Sequence, residues 1–426
     1  MTTNSLSHFL SSSKAGYLRD IVNGKADDWT VVMGNEAGDL DSIASSIAYA
    51  WIRSRTLNVN AVPLIQTKRA DLRLREENMH ALSLAGLQAG CPELLCVDEV
   101  PHSSSSIFPS HLFGIVDHNR LLPQFTSADA KVVAIIDHHA DEGFHTEATT
   151  SPRIVAPSGS CASHVALLFP SDIELPAELA TLLLSAILID TGGLKVKAGG
   201  KTLPVDLQAA SFLLPKSTIS ASNIITAQAM PITSTDHFAG MAAITNLTAN
   251  LAEKKNDVSH LNSRDLLRRD YKQYRLDLPW AGPGAFTNAG LSTVPIGFKT
   301  WIPKDPAEFW AAAREWMLER DLGVLGVLTS FRSETKHKHK REQLWIVRDT
   351  AGAQVDAGRL ADRLWPGLED SEELRLETKD FASFGTSDEE AEGESSKLKV
   401  RVYQQGNADA TRKATAPLMM KVLESS

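Results

Sequence analysis

VVAIIDHH, residues 132–139, is the stretch on which the fold turns. An unbroken apolar run this short, rich in β-branched residues, reads as a strand buried on both faces of a parallel sheet. Asp137, His138 and His139 then stand at its carboxyl end, where open α/β sheets keep their chemistry. Three ligand-type side chains in a row at such an edge are not explained by packing. Three further apolar runs close in the same way. VVMGNEAGDLD (31–41) brings Asn35, Asp39 and Asp41; FGIVDHN (113–119) brings Asp117, His118 and Asn119; LLLSAILIDT (182–191) brings Asp190. Taken as sheet edges, the four converge on carboxylates and imidazoles. Such a donor set suits divalent ions: carboxylates favour Mg²⁺ or Mn²⁺, and imidazoles add affinity for Mn²⁺ or Co²⁺.

Outward from that run, residues 30–250 alternate strands and helices. WTVVMG, AVPLIQ, ELLCVD and RIVA are further strand patterns, while SIASSIAYAWIRSR, CASHVALLF and ELATLLLSAIL have helical character. The expected class is α/β, a parallel sheet covered by helices on both faces. A chain of 426 residues is long for one core. The polar stretch near 255–262 divides it into a first domain, 1–255, and a smaller α/β second domain, 260–426. In the second, SRDLLRRDYKQYR (263–275) reads as a helix capped by Ser263 and carrying Arg268, Arg269, Lys272 and Arg275. STVPIGF, LGVLGVLTSF, EQLWIVRD and KLKVRVYQQG read as strands, and PAEFWAAAREWMLERD as an amphipathic helix. KHKHKR (336–341) and FGTSDEEAEGESSK (384–397) read as loops, one basic and one acidic.

Charge narrows the partners. The net charge of −9 argues against general nucleic-acid binding. Most of that negative charge falls before residue 260; the remainder is close to neutral and carries the basic clusters an anionic substrate needs. Arg412 and Lys413 precede the apolar run APLMMKVL, which places two cations at a helix start, unfavourable unless an anion is bound there. Lys195 and Lys197 follow the Asp190 motif closely enough to reach a substrate. Three unpaired cysteines suit a reducing compartment. The first residues have no apolar h-region, and no apolar run reaches membrane-spanning length. The expectation is a cytoplasmic protein, with the nucleus open and no membrane partner.

GNEAGDLDS, VDHN, IDHH and ILIDT resemble, in order, the four motifs of the DHH phosphoesterase superfamily. DYKQY (270–274) and NADATRKATAPL (407–418) resemble two anion-binding motifs of its DHH-associated second domain, so the likeness spans most of the chain. The variants are most similar to the cytosolic exopolyphosphatase branch, related to family II inorganic pyrophosphatases and to prune. The resemblance implies two divalent ions, Mg²⁺ first and Mn²⁺ or Co²⁺ as alternatives, in a cleft between the domains. Asp39 would bind one ion and Asp41 the other, Asp117 would bridge both, and His138 and Asp190 would complete the ligands of the second ion. His139 would contact the substrate phosphate, with His118 beside it. Asp137 would position its neighbours. Lys272, Arg412 and Lys413 would hold phosphates. Asn35 stands where the pyrophosphatases have histidine, a catalytic-site difference that implies the polymer-cleaving branch. The implied activity is release of terminal orthophosphate from linear polyphosphate by a monomeric enzyme. The alternatives are a pyrophosphatase, a prune-like short-chain polyphosphatase or phosphodiesterase, or an inactive scaffold, which the intact carboxylate set speaks against.

Overall fold

The computed structural model describes residues 5–101, 107–147, 150–196, 200–221, 238, 241–333, 338–349, 355–380 and 398–425. The acidic segment 384–397, Lys197, Lys336 and His337 lie outside them. The chain forms two compact units, Met1–Lys255 and Asn256–Ser426.

The first unit is built on six strands: β1 (Trp29–Met33), β2 (Asn60–Ile65), β3 (Leu95–Cys96), β4 (Leu112–Val116), β5 (Lys131–Asp137) and β6 (Arg153–Val155). They lie in the order β3-β2-β1-β4-β5-β6, and every pair is parallel. Val31 and Met33 of β1 face one core while Val32 faces the other, which is why the strand is apolar throughout. The larger core is closed by helices α1 (Ser5–Val22), α2 (Leu40–Thr56), α3 (Glu76–Leu84), α4 (Cys161–Ala166), α5 (Ala177–Thr191) and α6 (Pro204–Leu213). The other face is covered more thinly, by Tyr17 of α1 and by the loop aromatics Phe108 and Phe125.

This strand order has a consequence for function. From β1 the chain crosses through α2 to β2 on one side; it later returns to β4 on the other. The carboxyl ends of β1 and β4 therefore flank the switch point where open parallel sheets bind ligands. The edges also end level, with Met33 opposite Ile115 and Val116 opposite Ile136.

One of the four expected edges is not a sheet edge. Asp190 lies in the last turn of α5, a helix of 15 residues that stops at Gly192 in the left-handed conformation (φ 64°). A helix buried all round is as apolar as a central strand, so the run 182–191 could not separate the two by periodicity. No helix among the described residues is long and apolar enough to cross a membrane.

Among the described residues the second unit holds seven strands: β7 (Tyr271–Asp277), β8 (Phe286–Val294), β9 (Leu322–Thr329), β10 (Phe331–Arg332), β11 (His339–Arg348), β12 (Leu376–Lys379) and β13 (Leu398–Gln405). Its main path runs β12-β13-β11-β9-β8-β7, with β10 on β11; only β8–β9 is parallel. Pro306–Glu319 packs on one face and Ala357–Glu369 with Arg412–Glu424 on the other.

Three sequence expectations are corrected here. Helix Ser263–Arg269 is capped by Asn262, whose Oδ1 accepts from the Asp265 amide at 2.8 Å, so Ser263 is its first residue and not its cap. Lys272 and Arg275 lie on β7, not on that helix, because the helix ends at Arg269 and the next residues pair with β8. The described part of the basic segment is not a loop either: His339, Lys340 and Arg341 open β11, where Arg341 pairs with Gln405.

Candidate metal centre

Asp117 organises the switch-point site. It follows β4 with φ 60°, a conformation that a non-glycine residue adopts at a cost of about 1–3 kcal/mol and that clusters at functional sites. Its side chain is buried, and one carboxylate oxygen is fully used. Oδ2 accepts from Asn35 Nδ2 at 2.7 Å and from Ser42 Oγ at 2.7 Å. The other, Oδ1, is buried with no hydrogen bond. It faces His138 Nε2 at 3.4 Å and His139 Nδ1 at 3.6 Å.

The imidazoles are held by their outer nitrogens. His138 Nδ1 is 3.0 Å from the Ser158 carbonyl, which can only accept, so Nδ1 carries a proton and, in the neutral imidazole, Nε2 the lone pair. That lone pair looks at Asp117 Oδ1 and, at 3.9 Å, at Asp41 Oδ2. His139 Nδ1 lies 2.8 Å from Asp137 Oδ1. Asp137 is fully buried and also accepts from the amides of His138 and His139 and from Asn119 Nδ2. Burial alone would raise its carboxyl, but these bonds, led by that of His139, hold it well below the usual range.

Asp41 is buried on the first turn of α2. Its Oδ2 accepts from the Cys161 amide at 2.7 Å and its Oδ1 from the Ala162 amide at 2.8 Å, so it lies across the start of α4. Burial first, and then the charge of Asp117, push its carboxyl up to about 7. Desolvation and the charge of Asp41 do the same to Asp190, also to about 7, against the opposing pull of Lys255 and Lys201. Burial and the neighbouring Asp39 raise Asp117. Asp39 itself caps α2 through the Ser42 amide. The site is thus short of positive charge. Oxygens and nitrogens from Asp117, His138 and His139 fall within 4.8 Å of one another. A lone pair facing two carboxylates and a buried oxygen without a donor are what a divalent cation would satisfy. The residues fit such a group.

Asn35 braces Asp117 and its own turn. Its amide nitrogen is spent on Asp117 and its oxygen accepts from the Ala37 amide at 2.9 Å. His118 turns back to the Val116 carbonyl at 2.8 Å.

Several residues of this site had no separate reading in the sequence. Ser42 stood in the sequence only as the end of GNEAGDLDS and the start of a helical run, yet it binds Asp117. Gly34 makes room for it: a Cβ there would lie 2.4 Å from that of Ser42. The turn 34–38 is clamped by side chains from beyond β2, with Gln66 on the Gly34 carbonyl, Arg75 on that of Ala37 and Asn78 on that of Gly38. No spacing rule connects these to the motif; only the fold does.

In the second unit, Arg412 opens its helix after the cap Thr411. Its guanidinium binds Asp270 twice, through the carboxylate at 3.0 Å and the carbonyl at 3.1 Å. The anion expected at this helix start is therefore partly supplied by the chain itself, two residues before Lys272. Lys272 is half-buried on the edge strand β7, and Lys413 is exposed.

Comparison with known proteins agrees with this arrangement. A family model described as "DHH family, N-terminal domain" matches residues 29–187, and one described as "DHHA2 domain" matches 249–422. A Schizosaccharomyces pombe protein named "Putative exopolyphosphatase" is 32% identical over 266 residues, 58% of this chain and 61% of that protein. Bos taurus exopolyphosphatase PRUNE1 is 27% identical over 250 residues, 57% of this chain and 49% of its own. The chain thus spans less than two thirds of the length of either relative. Among solved structures, a Methanococcus jannaschii protein titled "putative family II inorganic pyrophosphatase" covers 93% of this chain and 100% of its own, with a TM-score of 0.54 at 18% identity. The chain therefore carries, in order, a stretch that matches the DHH N-terminal domain model and one that matches the DHHA2 domain model, in a fold similar to that of the solved structure.

Proposed function

We propose that this protein is a metal-dependent phosphoanhydride hydrolase, and specifically an exopolyphosphatase that releases terminal orthophosphate from linear polyphosphate. The observation that carries the reading is Asp117: one oxygen fixed by two donors, the other buried, unbonded and aimed at two oriented imidazoles. In the proposal Asp39, Asp41, Asp117, His138 and Asp190 hold two divalent ions, Mg²⁺ first and Mn²⁺ or Co²⁺ as alternatives. When bound, such ions lower the pKa of water and neutralise charge on a phosphoryl group. The chain's own part is orientation. The Ser158 carbonyl orients the His138 ring through its Nδ1, and Asp137 orients the His139 ring through its Nδ1. Asn35 and Ser42 fix the angle of the Asp117 carboxylate. Lys272, Arg412 and Lys413 supply the cations that a chain of phosphates requires. The proposal further makes the enzyme monomeric and cytoplasmic.

A pyrophosphatase, as the structural neighbour is titled, or a prune-like short-chain hydrolase, as the bovine relative is named, is the alternative. Orthophosphate release from pyrophosphate, tripolyphosphate and long polyphosphate, each with Mg²⁺, Mn²⁺ or Co²⁺, separates them. The proposal expects longer chains to be turned over faster; faster turnover of pyrophosphate than of any longer chain overturns it.

A further inference from the structure

Asp206 is fully buried, carries a carboxylate and has no part in the constellation above. It sits in the first turn of α6, where Oδ2 accepts from the Leu203 amide at 2.7 Å. That bond is ordinary helix capping. The others are not. Gly159 N lies 2.9 Å from the same oxygen and 3.1 Å from Oδ1, and Ser163 Oγ donates to Oδ1 at 2.6 Å. These partners are 47 and 43 residues away in sequence. They bracket the segment 158–163.

That segment supplies both of the contacts that fix candidate ligands from behind. The Ser158 carbonyl sets the tautomer of His138, and the Cys161 and Ala162 amides hold the two oxygens of Asp41. The segment is pressed onto Asp206 with no room to spare. A Cβ on Gly159 would stand 2.7 Å from Asp206 Oδ2 and 2.6 Å from Thr191 Cγ2, so only glycine lets its amide approach. Thr191 is the neighbour of Asp190. A buried carboxylate needs several donors to offset its desolvation. Here the donors come from the loop that grips the metal centre.

We infer that Asp206 is a positioning residue for the metal centre: it anchors the 158–163 segment, and through it the orientation of His138 and Asp41. This rests on the metal-centre reading above. Loss of such an outer anchor typically costs roughly 10–100-fold in metal affinity.

The test uses the full chain and Mn²⁺ alone. Asp206→Ala removes every link. Asp206→Asn can keep its oxygen on Gly159 and Leu203, because the Ser163 hydroxyl is able to accept as well as donate. Ser163→Ala removes one link and leaves the α6 cap. Mn²⁺ affinity is read by calorimetry without substrate, and the His138 tautomer by nitrogen NMR of the metal-free protein. Expected are at least about tenfold weaker Mn²⁺ binding and loss of the single Nδ1–H form in Asp206→Ala, with Asp206→Asn largely restoring both. Asp206→Ala that folds and shows wild-type affinity and tautomer overturns the inference. If Asp206→Ala does not fold, Ser163→Ala decides: weakened Mn²⁺ binding supports the anchor, and unchanged binding overturns it. Wild-type protein that binds no Mn²⁺ overturns the metal-centre reading instead, while the tautomer comparison still decides the anchor.

Discussion

The acidic group of the first unit and the basic group of the second are built to opposite rules. Asp41, Asp117 and Asp137 are buried, and each accepts at least two hydrogen bonds at fixed geometry. Lys272 and Lys413 are half-buried and exposed, and Arg412 is tied to Asp270. Under the proposed function the difference follows from what each group would recognise. A cation a few ångströms across needs donors placed in advance, because an acidic cluster cannot rearrange cheaply inside a core. A flexible polyanion needs charge more than angle, and an ammonium on a four-carbon stem delivers charge from many positions. Precision is concentrated where the desolvation cost is highest.

The largest effect is expected at the most constrained point. Asp117→Ala removes the oxygen that faces both imidazoles together with the acceptor of Asn35 and Ser42. It should abolish turnover and weaken Mn²⁺ binding by more than the roughly 100-fold typical of an outer anchor. Because the shifted Asp117 charge also raises Asp41, the variant loses a repulsion as it loses a ligand. Retention of more than a few per cent of wild-type turnover at saturating Mn²⁺ would contradict the placing of Asp117 at the centre.

How much of this was legible beforehand differs by region in the same way. The strand ends were legible because β1, β4 and β5 are short, continuous and apolar, and their closing residues are chemically out of place. Asp190 was legible as a residue, and ELATLLLSAIL before it as a helix, yet the overlapping run 182–191 also read as a sheet edge, since α5 is apolar on every side. Ser42, Asp206 and the clamp of Gln66, Arg75 and Asn78 were not legible as site residues. Serine, asparagine and aspartate occur at every turn and cap, and only the closure of the sheet brings these to the motif. In the second unit the local pattern misled: LLRRDYKQY has enough long charged side chains for a helix, yet pairing with β8 claims it from Tyr271 onward.

Asp137 tests the acidic half without touching a proposed ligand. Asp137→Asn must turn its amide nitrogen either towards the His138 and His139 donors or towards Asn119. Asn119 cannot flip to oblige, because its oxygen accepts from the Glu142 amide and its nitrogen also donates to the Ala140 carbonyl. One donor is therefore set against another in a fully buried place. The expected result is a fall of roughly 10–100-fold in kcat with Mn²⁺ affinity changed less, since His139 is assigned to phosphate and not to metal. An unchanged kcat beside a strongly weakened Mn²⁺ affinity would reassign His139 as a ligand, a role its distance to Asp117 allows.

The smallest effect should come from the exposed end of the comparison. Lys413→Gln removes an exposed cation whose side chain makes no hydrogen bond or ion pair among the described residues, while the Thr411 cap binds its backbone amide and remains. An exposed charge contributes little and is screened by salt, so KM for long polyphosphate should rise by no more than about fivefold at low ionic strength. The gap should close as salt is added, and kcat should stay put. Arg412→Gln is the informative partner, because it also removes the guanidinium that binds Asp270, two residues from Lys272. Its KM should rise more than that of Lys413→Gln, and part of the rise should persist at high salt. If both variants keep the wild-type KM across the salt series, the basic group of the second unit has no hold on the substrate, and the division between placed acids and mobile cations fails at its second term.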